Sequence, residues 1–287
     1  MIGRLEQADA VLDQWLAGHP TWNGFLFAVI GVLIVPFAKL IAALWRRLTY
    51  IPTLLDLLFE AAGEIHVVIS HMPYANFQRL GSKRTIALPE NAPLLPSGVA
   101  LGLQRLTSYV HRRWGDRKTL RLHFDDEQWP IAESDFIALG GPYVNEVVGH
   151  IVEAVKVPGF SIEDVPFGAV GSGIFEPVAH DESDVFEAQR EAGSKEPNAR
   201  LACDYGFMLH VDNPWNADRK AFVVFGLWPH GVLAAVDCLL APRRAGSLAR
   251  HFHRVIANRR NVVGILRVTI AGFLDGHGDL VKVRVLD

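Results

Sequence analysis

Residues 24–45 read "GFLFAVIGVLIVPFAKLIAALW" and carry one charge, Lys39. As a helix this segment rises roughly 33 Å at 1.5 Å per residue, enough to cross the hydrocarbon core of a bilayer. Trp22 and Trp45 stand at its two ends, where amphipathic rings favour the interface, and Arg46 and Arg47 follow at once. A cleaved leader fits poorly, because the run is too long, begins too far from residue 1 and lacks a small-residue cleavage motif. The preceding flank holds Arg4 as its fixed side-chain cation beside Glu6, Asp9 and Asp13, whereas Arg79, Lys83 and Arg84 lie beyond the run. That asymmetry predicts a single-pass protein of the inner (cytoplasmic) membrane with its C-terminal part in the cytoplasm.

Pro36 and Lys39 qualify the span. A proline kinks a membrane helix, and a lysine in its inner third can snorkel toward the headgroups. Either the helix is a bent anchor, or several copies pack with the kink and charge lining a weak point in the bilayer. Leu5, Ala8, Leu12, Trp15 and Leu16 recur at helical spacing opposite Glu6, Asp9 and Asp13, so residues 1–18 are expected to form an amphipathic helix on the outer surface. The expected organisation is residues 1–50 as surface helix and anchor, 51–64 as a linker helix, and 65–287 as the cytoplasmic domain.

That domain has the means to fill a core: the 287-residue chain is 50% hydrophobic and 21% charged. A formal net charge of −3 offers no basic excess for a long nucleic acid. Cys203 and Cys238 form no CxxC pair or Cys/His cluster, so they read as reduced, hydrophobe-like thiols; no metal site and no cofactor are expected.

Strand and helix signals alternate after the linker. Residues 65–70, 120–124 and 136–139 read as strands, with helices over 97–115 and 143–156. Residues 166–200 lack steady periodicity and read as a mobile insertion. Residues 201–211 and 221–227 flank the turn "DNPWNADRK" as an antiparallel hairpin, with Asp212 and Asn213 as turn formers and Asp204 and Tyr205 as strand-ending residues. Helices over 231–240 and 247–259 and strands over 265–270 and 280–286 complete the pattern. The expected fold class is α/β: an N-terminal transmembrane helix followed by a Rossmann-like, mainly parallel sheet with an added β-hairpin and edge strand.

In such a sheet ligands sit beyond the carboxyl ends of the strands, where a glycine turn leads into a helix whose free amides favour an anion. The stretch "IALGGPYVNE" fits that position. Gly140 and Gly141 open the backbone, Pro142 suits a first helical turn, and Asn145 can both donate and accept. "FVVFGLWPHG" repeats the arrangement with Trp228, His230 and Gly231. These residues are the candidate ligand contacts, two loops facing one crevice.

As a set, "GGPYVN", "DYGFMLHVDNPWN" and the glycine turn into "GVLAAVDCLL" resemble a poorly characterised bacterial α/β family that pairs GGPxxN with DYGxxxxxxNPxN. More widely they are similar to the Rossmann-like sensor and effector modules of bacterial conflict systems, including the SLOG, TIR and CRISPR-associated Rossmann classes. The resemblance implies a nucleotide-type ligand. The second loop departs from the expected glycine-threonine turn, having Trp228, Pro229 and His230 instead.

Glu146, beside Asn145, is the candidate catalytic carboxylate, since base excision from a nucleotide uses an acid to stabilise an oxocarbenium-like centre; an acid in a helix first turn also serves the dipole. His230 reads either as a general base or base-stacking group or as a satisfied loop residue. Three functions are therefore expected: a membrane-anchored, self-associating effector responding to a nucleotide-type signal, a membrane-tethered nucleotide-cleaving enzyme, or a protein adaptor.

Overall fold

The computed structural model describes Phe37 and residues 52–59, 63–70, 95–142, 144–155, 159–166, 175–191, 199–241, 247–271 and 276–286. The chain divides into two compact units, Met1–Ile51 and Pro52–Asp287. No helix among the described residues is long and apolar enough to cross a membrane. The expected transmembrane helix over 24–45, with Pro36 and Lys39, and the surface helix over 1–18 lie outside the described residues apart from Phe37.

The second unit begins with helix α1 (Leu54–Phe59), strand β1 (Glu64–Ile69), α2 (Ser97–Trp114), β2 (Thr119–Phe124), β3 (Phe136–Leu139) and α3 (Glu146–Val155). There follow β4 (Phe160–Pro166), β5 (Phe175–Asp181), β6 (Asp184–Glu187) and β7 (Gln189–Arg190). The long pair β8 (Leu201–Asn213) and β9 (Asn216–Gly226), then α4 (Pro229–Leu240), α5 (Ser247–Ala257), β10 (Asn261–Ile270) and β11 (Gly276–Leu286), complete it. Instead of a separate linker, α1 is part of the domain core, with Leu54 and Leu55 fully buried.

The main sheet runs β11-β10-β8-β9-β3-β1-β2, with β7 added against β8. Strands β2, β1, β3 and β9 are mutually parallel, whereas β8 is antiparallel to both β9 and β10, and β10 to β11. The expected mainly parallel, Rossmann-like sheet with an added hairpin is thereby corrected. The sheet is mixed, antiparallel pairings dominate, and the hairpin lies at its centre. Only Pro214 and Trp215 separate β8 from β9, too few residues for a crossover, so the two must be antiparallel neighbours. Both are also apolar on both faces. Phe207, Leu209 and Val211 enter one core while Met208 enters the other, so an edge position would leave one face in water.

Two cores result. One packs Ile65, Val67, Leu139, Phe222 and Val224 under α1, α2, α4 and α5. The other packs Val68, Phe136, Ala138 and Phe225 under α3 and a small antiparallel sheet, β4-β5-β6. Much of the region expected as an irregular insertion thus forms strands. The rings of Phe160, Phe186, Phe207 and Phe225 cluster there, Phe207 stacking on Phe225 with centroids 4.9 Å apart. Fully buried Asp181 ties β5 to β11 through Lys282 (2.7 Å) and Arg284.

Candidate functional site

The carboxyl ends of β3 and β9 open into a pocket of about 730 Å³, between the start of α2 and the small sheet. Its lining comes from residues 95–99, from Gly140, Gly141, Pro142 and Val144, from 225–229 with Val232, and from Ile162 and Pro177. Both glycine turns singled out in the sequence therefore meet at one cavity. They contribute to it unequally.

Gly140 has φ +118°, and a Cβ there would lie 2.7 Å from the Ser70 hydroxyl oxygen. Its amide donates to Val224 O at 3.0 Å, tying the turn to β9. Gly141 has open space at its Cβ position and lines the cavity. Asn145 is 1% exposed and wholly engaged: Nδ2 donates to Leu139 O at 3.1 Å, and Oδ1 accepts the Val148 amide at 3.1 Å. It is the N-cap of α3. Glu146 is exposed and not among the lining residues, and its amide donates to Asp125 Oδ2 at 2.9 Å.

The second turn is already occupied by a carboxyl group of the protein. Asp204, fully buried in β8, accepts the amides of Tyr205 (2.7 Å), Trp228 (3.2 Å) and Gly231 (2.6 Å), closing the N-terminus of α4 from inside the protein. Burial raises its carboxyl pKa to about 7 against the pull of those three amides. Gly231 is a packing residue: an added Cβ would run into Tyr205 O and lie 2.9 Å from Gly226 Cα. With Gly206 and Gly226, paired across β8 and β9, it lets α4 rest directly on the two strands. His230 is half-buried and, like Gly231, outside the pocket lining, whereas Trp228 and Pro229 are in it.

At this edge, α3 is capped by Asn145 and Asp125, and α4 by Asp204. Helix α2 differs. It follows Pro96, receives no side-chain cap from the described residues, and its first internal bond runs from the Ala100 amide to Pro96 O at 2.9 Å. The amides of Ser97, Gly98 and Val99 precede that bond and stand at the cavity wall with the dipole behind them. Gly98 brings this end against α4, since a Cβ there would lie 2.8 Å from Pro229 Cα. Two buried donors in the same region find no partner among the described residues, the Ser70 hydroxyl and the Trp228 indole N–H.

Sequence reasoning missed the start of α2 and Phe225 as pocket lining, because tertiary packing brings them there. A signal was present for Asp204, a lone acid within the apolar run "LACDYGF". The motif asparagines are structural: Asn213 Nδ2 donates to Ile131 O at 2.7 Å, and Asn216 Nδ2 to Ala132 O at 2.8 Å, fastening the loop before β3 to the hairpin. Neither Cys203, which is buried, nor Cys238, which is half-buried, is in a disulfide.

Fold and pocket together define a three-layer α/β domain with a largely apolar cavity at the carboxyl end of its parallel strands. Comparison with protein-family models, with curated proteins and with solved structures finds no match.

Proposed function

We propose that the domain binds a small nucleotide-type molecule in this pocket. The full chain would then be a membrane-anchored effector or sensor that self-associates on binding and acts on the membrane, in a setting such as antiphage defence. The observation that carries the binding half is the uncapped N-terminus of α2 at the wall of an apolar cavity with two unpartnered donors nearby. One phosphate suits the α2 amides, and a base suits the wall of Phe225, Leu227 and Pro142. Among the described residues the lining includes no charged side chain, which favours one phosphate over a polyphosphate. The membrane half is supported by the composition of residues 24–45.

The test uses the full chain in nanodiscs with adenosine monophosphate, cyclic mono- and oligonucleotides and NAD, following thermal shift and product formation. Gly141→Leu fills the cavity without meeting a neighbouring atom at Cβ, and Gly141 has no positive φ. Stabilisation of the native chain that is lost in this variant, with unchanged ligand-free melting, supports the sensor. Turnover transfers the assignment to a nucleotide-cleaving enzyme, and silence across the panel to an adaptor.

A further inference from the structure

A second, smaller cavity of about 190 Å³ lies at the opposite, amino end of β3 and β9, beneath α1 and the end of α5. Leu58, Phe59, Phe222 and Ile256 form its apolar wall, and His210, Lys220, Asp135 and Arg259 its polar one. It holds the liquid volume of about six waters.

His210 is 1% exposed, with Nδ1 2.8 Å from Arg260 O. A carbonyl only accepts, so Nδ1 carries the hydrogen and Nε2 is left as a lone-pair acceptor. Nε2 has no partner among the described residues. Burial lowers the His210 pKa to about 4, so the ring is neutral near pH 7 and that acceptor persists.

Lys220 supplies the complementary group. Its Nζ donates to Asp212 and, at 2.9 Å, to Asn261 Oδ1, leaving one of its three N–H bonds available. Asp135 accepts the Lys220 amide at 2.7 Å and lies 3.7 Å from Arg259 Nη2. Arg259, two residues beyond the end of α5, has φ +55°, with its amide donating to Ile256 O at 2.8 Å. Glycine or asparagine is usual at such a left-handed position, and here an arginine that lines the cavity occupies it.

We propose that this cavity is a second binding site, for a short carboxylic acid bearing a hydroxyl or ammonium donor. The donor is placed on His210 Nε2, the carboxylate on Lys220 Nζ and Arg259, and the aliphatic body against Phe59 and Phe222. The volume is below that of sites for drug-sized ligands and admits only such small molecules.

The test titrates the full chain in nanodiscs with lactate, glycolate, alanine and serine by calorimetry and thermal shift. Ala257→Trp is chosen to close the cavity from the exposed end of α5, and Lys220→Met keeps the stem but removes the donor. Saturable binding of at least one acid, weakened about tenfold or more in both variants, is the expected result for loss of a charged hydrogen bond. Gly141→Leu, which alters the other pocket, should leave this binding unchanged, so the two sites succeed or fail separately. No binding across the four acids, or binding unaffected by Ala257→Trp, overturns the proposal and leaves a cavity that holds water only.

Discussion

The carboxylate of Asp204 accepts the amide hydrogen of Gly231 at 2.6 Å, although 27 residues separate the two in sequence. That contact decides what the turn after β9 does. A helix N-terminus that would suit a ligand phosphate is filled by the protein's own carboxyl group, so α4 serves as a wall of the pocket and the start of α2 is left as the proposed anion seat.

Asp204 makes stability depend on pH with a defined sign. Its folded pKa of about 7 stands above an unfolded value of about 3.9, so the native state holds a proton that the unfolded chain releases. This contribution is full below about pH 4 and is lost as pH rises through about 7, at up to ~1.4 kcal/mol per pH unit. His210 opposes it: its folded pKa of about 4 lies below an unfolded value of about 6.5, so its contribution is lost as pH falls across that window. Denaturant unfolding of Asp204→Asn from pH 4.5 to 7 should show a variant less stable throughout, with its deficit against the native chain shrinking as pH rises. A deficit independent of pH would show that the carboxyl does not titrate there.

Gly140 and Gly141 should respond oppositely to alanine. At Gly140 the positive φ and the nearby Ser70 hydroxyl predict a loss of about 1–3 kcal/mol. At Gly141 the side chain meets open space, and stability should stay within about 0.5 kcal/mol of the native value. Chemical denaturation of the two variants side by side distinguishes a strained turn from a flexible one.

Gly231→Ala should destabilise by about 1–3 kcal/mol, because the new methyl group enters the space of Tyr205 O and the helix must lift from β8 and β9. Loss of near-ultraviolet signal from Trp228 should accompany the lower melting temperature. Native melting in this variant would refute the packing role.

Asn213 is 1% exposed and gives both amide hydrogens to the loop before β3, at 2.7 Å to Ile131 O and 3.4 Å to Ser134 O. Asn213→Asp keeps the size but turns an acceptor toward two carbonyls, and should cost about 2 kcal/mol or more. Hydrogen exchange at residues 131–134 should rise in this variant ahead of the rest of the domain.

Local structure was largely legible. β3 falls on Phe136–Leu139 as expected, α2 ends at the predicted Gly115, and the hairpin strands lie where β-branched and aromatic runs place them. The convergence of the two glycine turns was also legible, because two strand-to-helix turns of one sheet share an edge. Sheet direction was not. Alternation of strand and helix is compatible with parallel order, and the short link at Pro214–Trp215 sets β8 against β9 without indicating that β8 also pairs with β10.

The sequence by itself determined most elements of the main sheet and its helices, the two turns and the apolar character of residues 24–45, since propensity, periodicity and hydropathy act over a few neighbours along the chain. Only the tertiary structure decided which polar groups remain for a ligand. Asn145 and Asp204 are chemically suited to hold one, but a buried donor or acceptor takes the partner that the fold brings within reach. For Asn145 that partner is its own helix, and for Asp204 it is a helix that begins 25 residues further on.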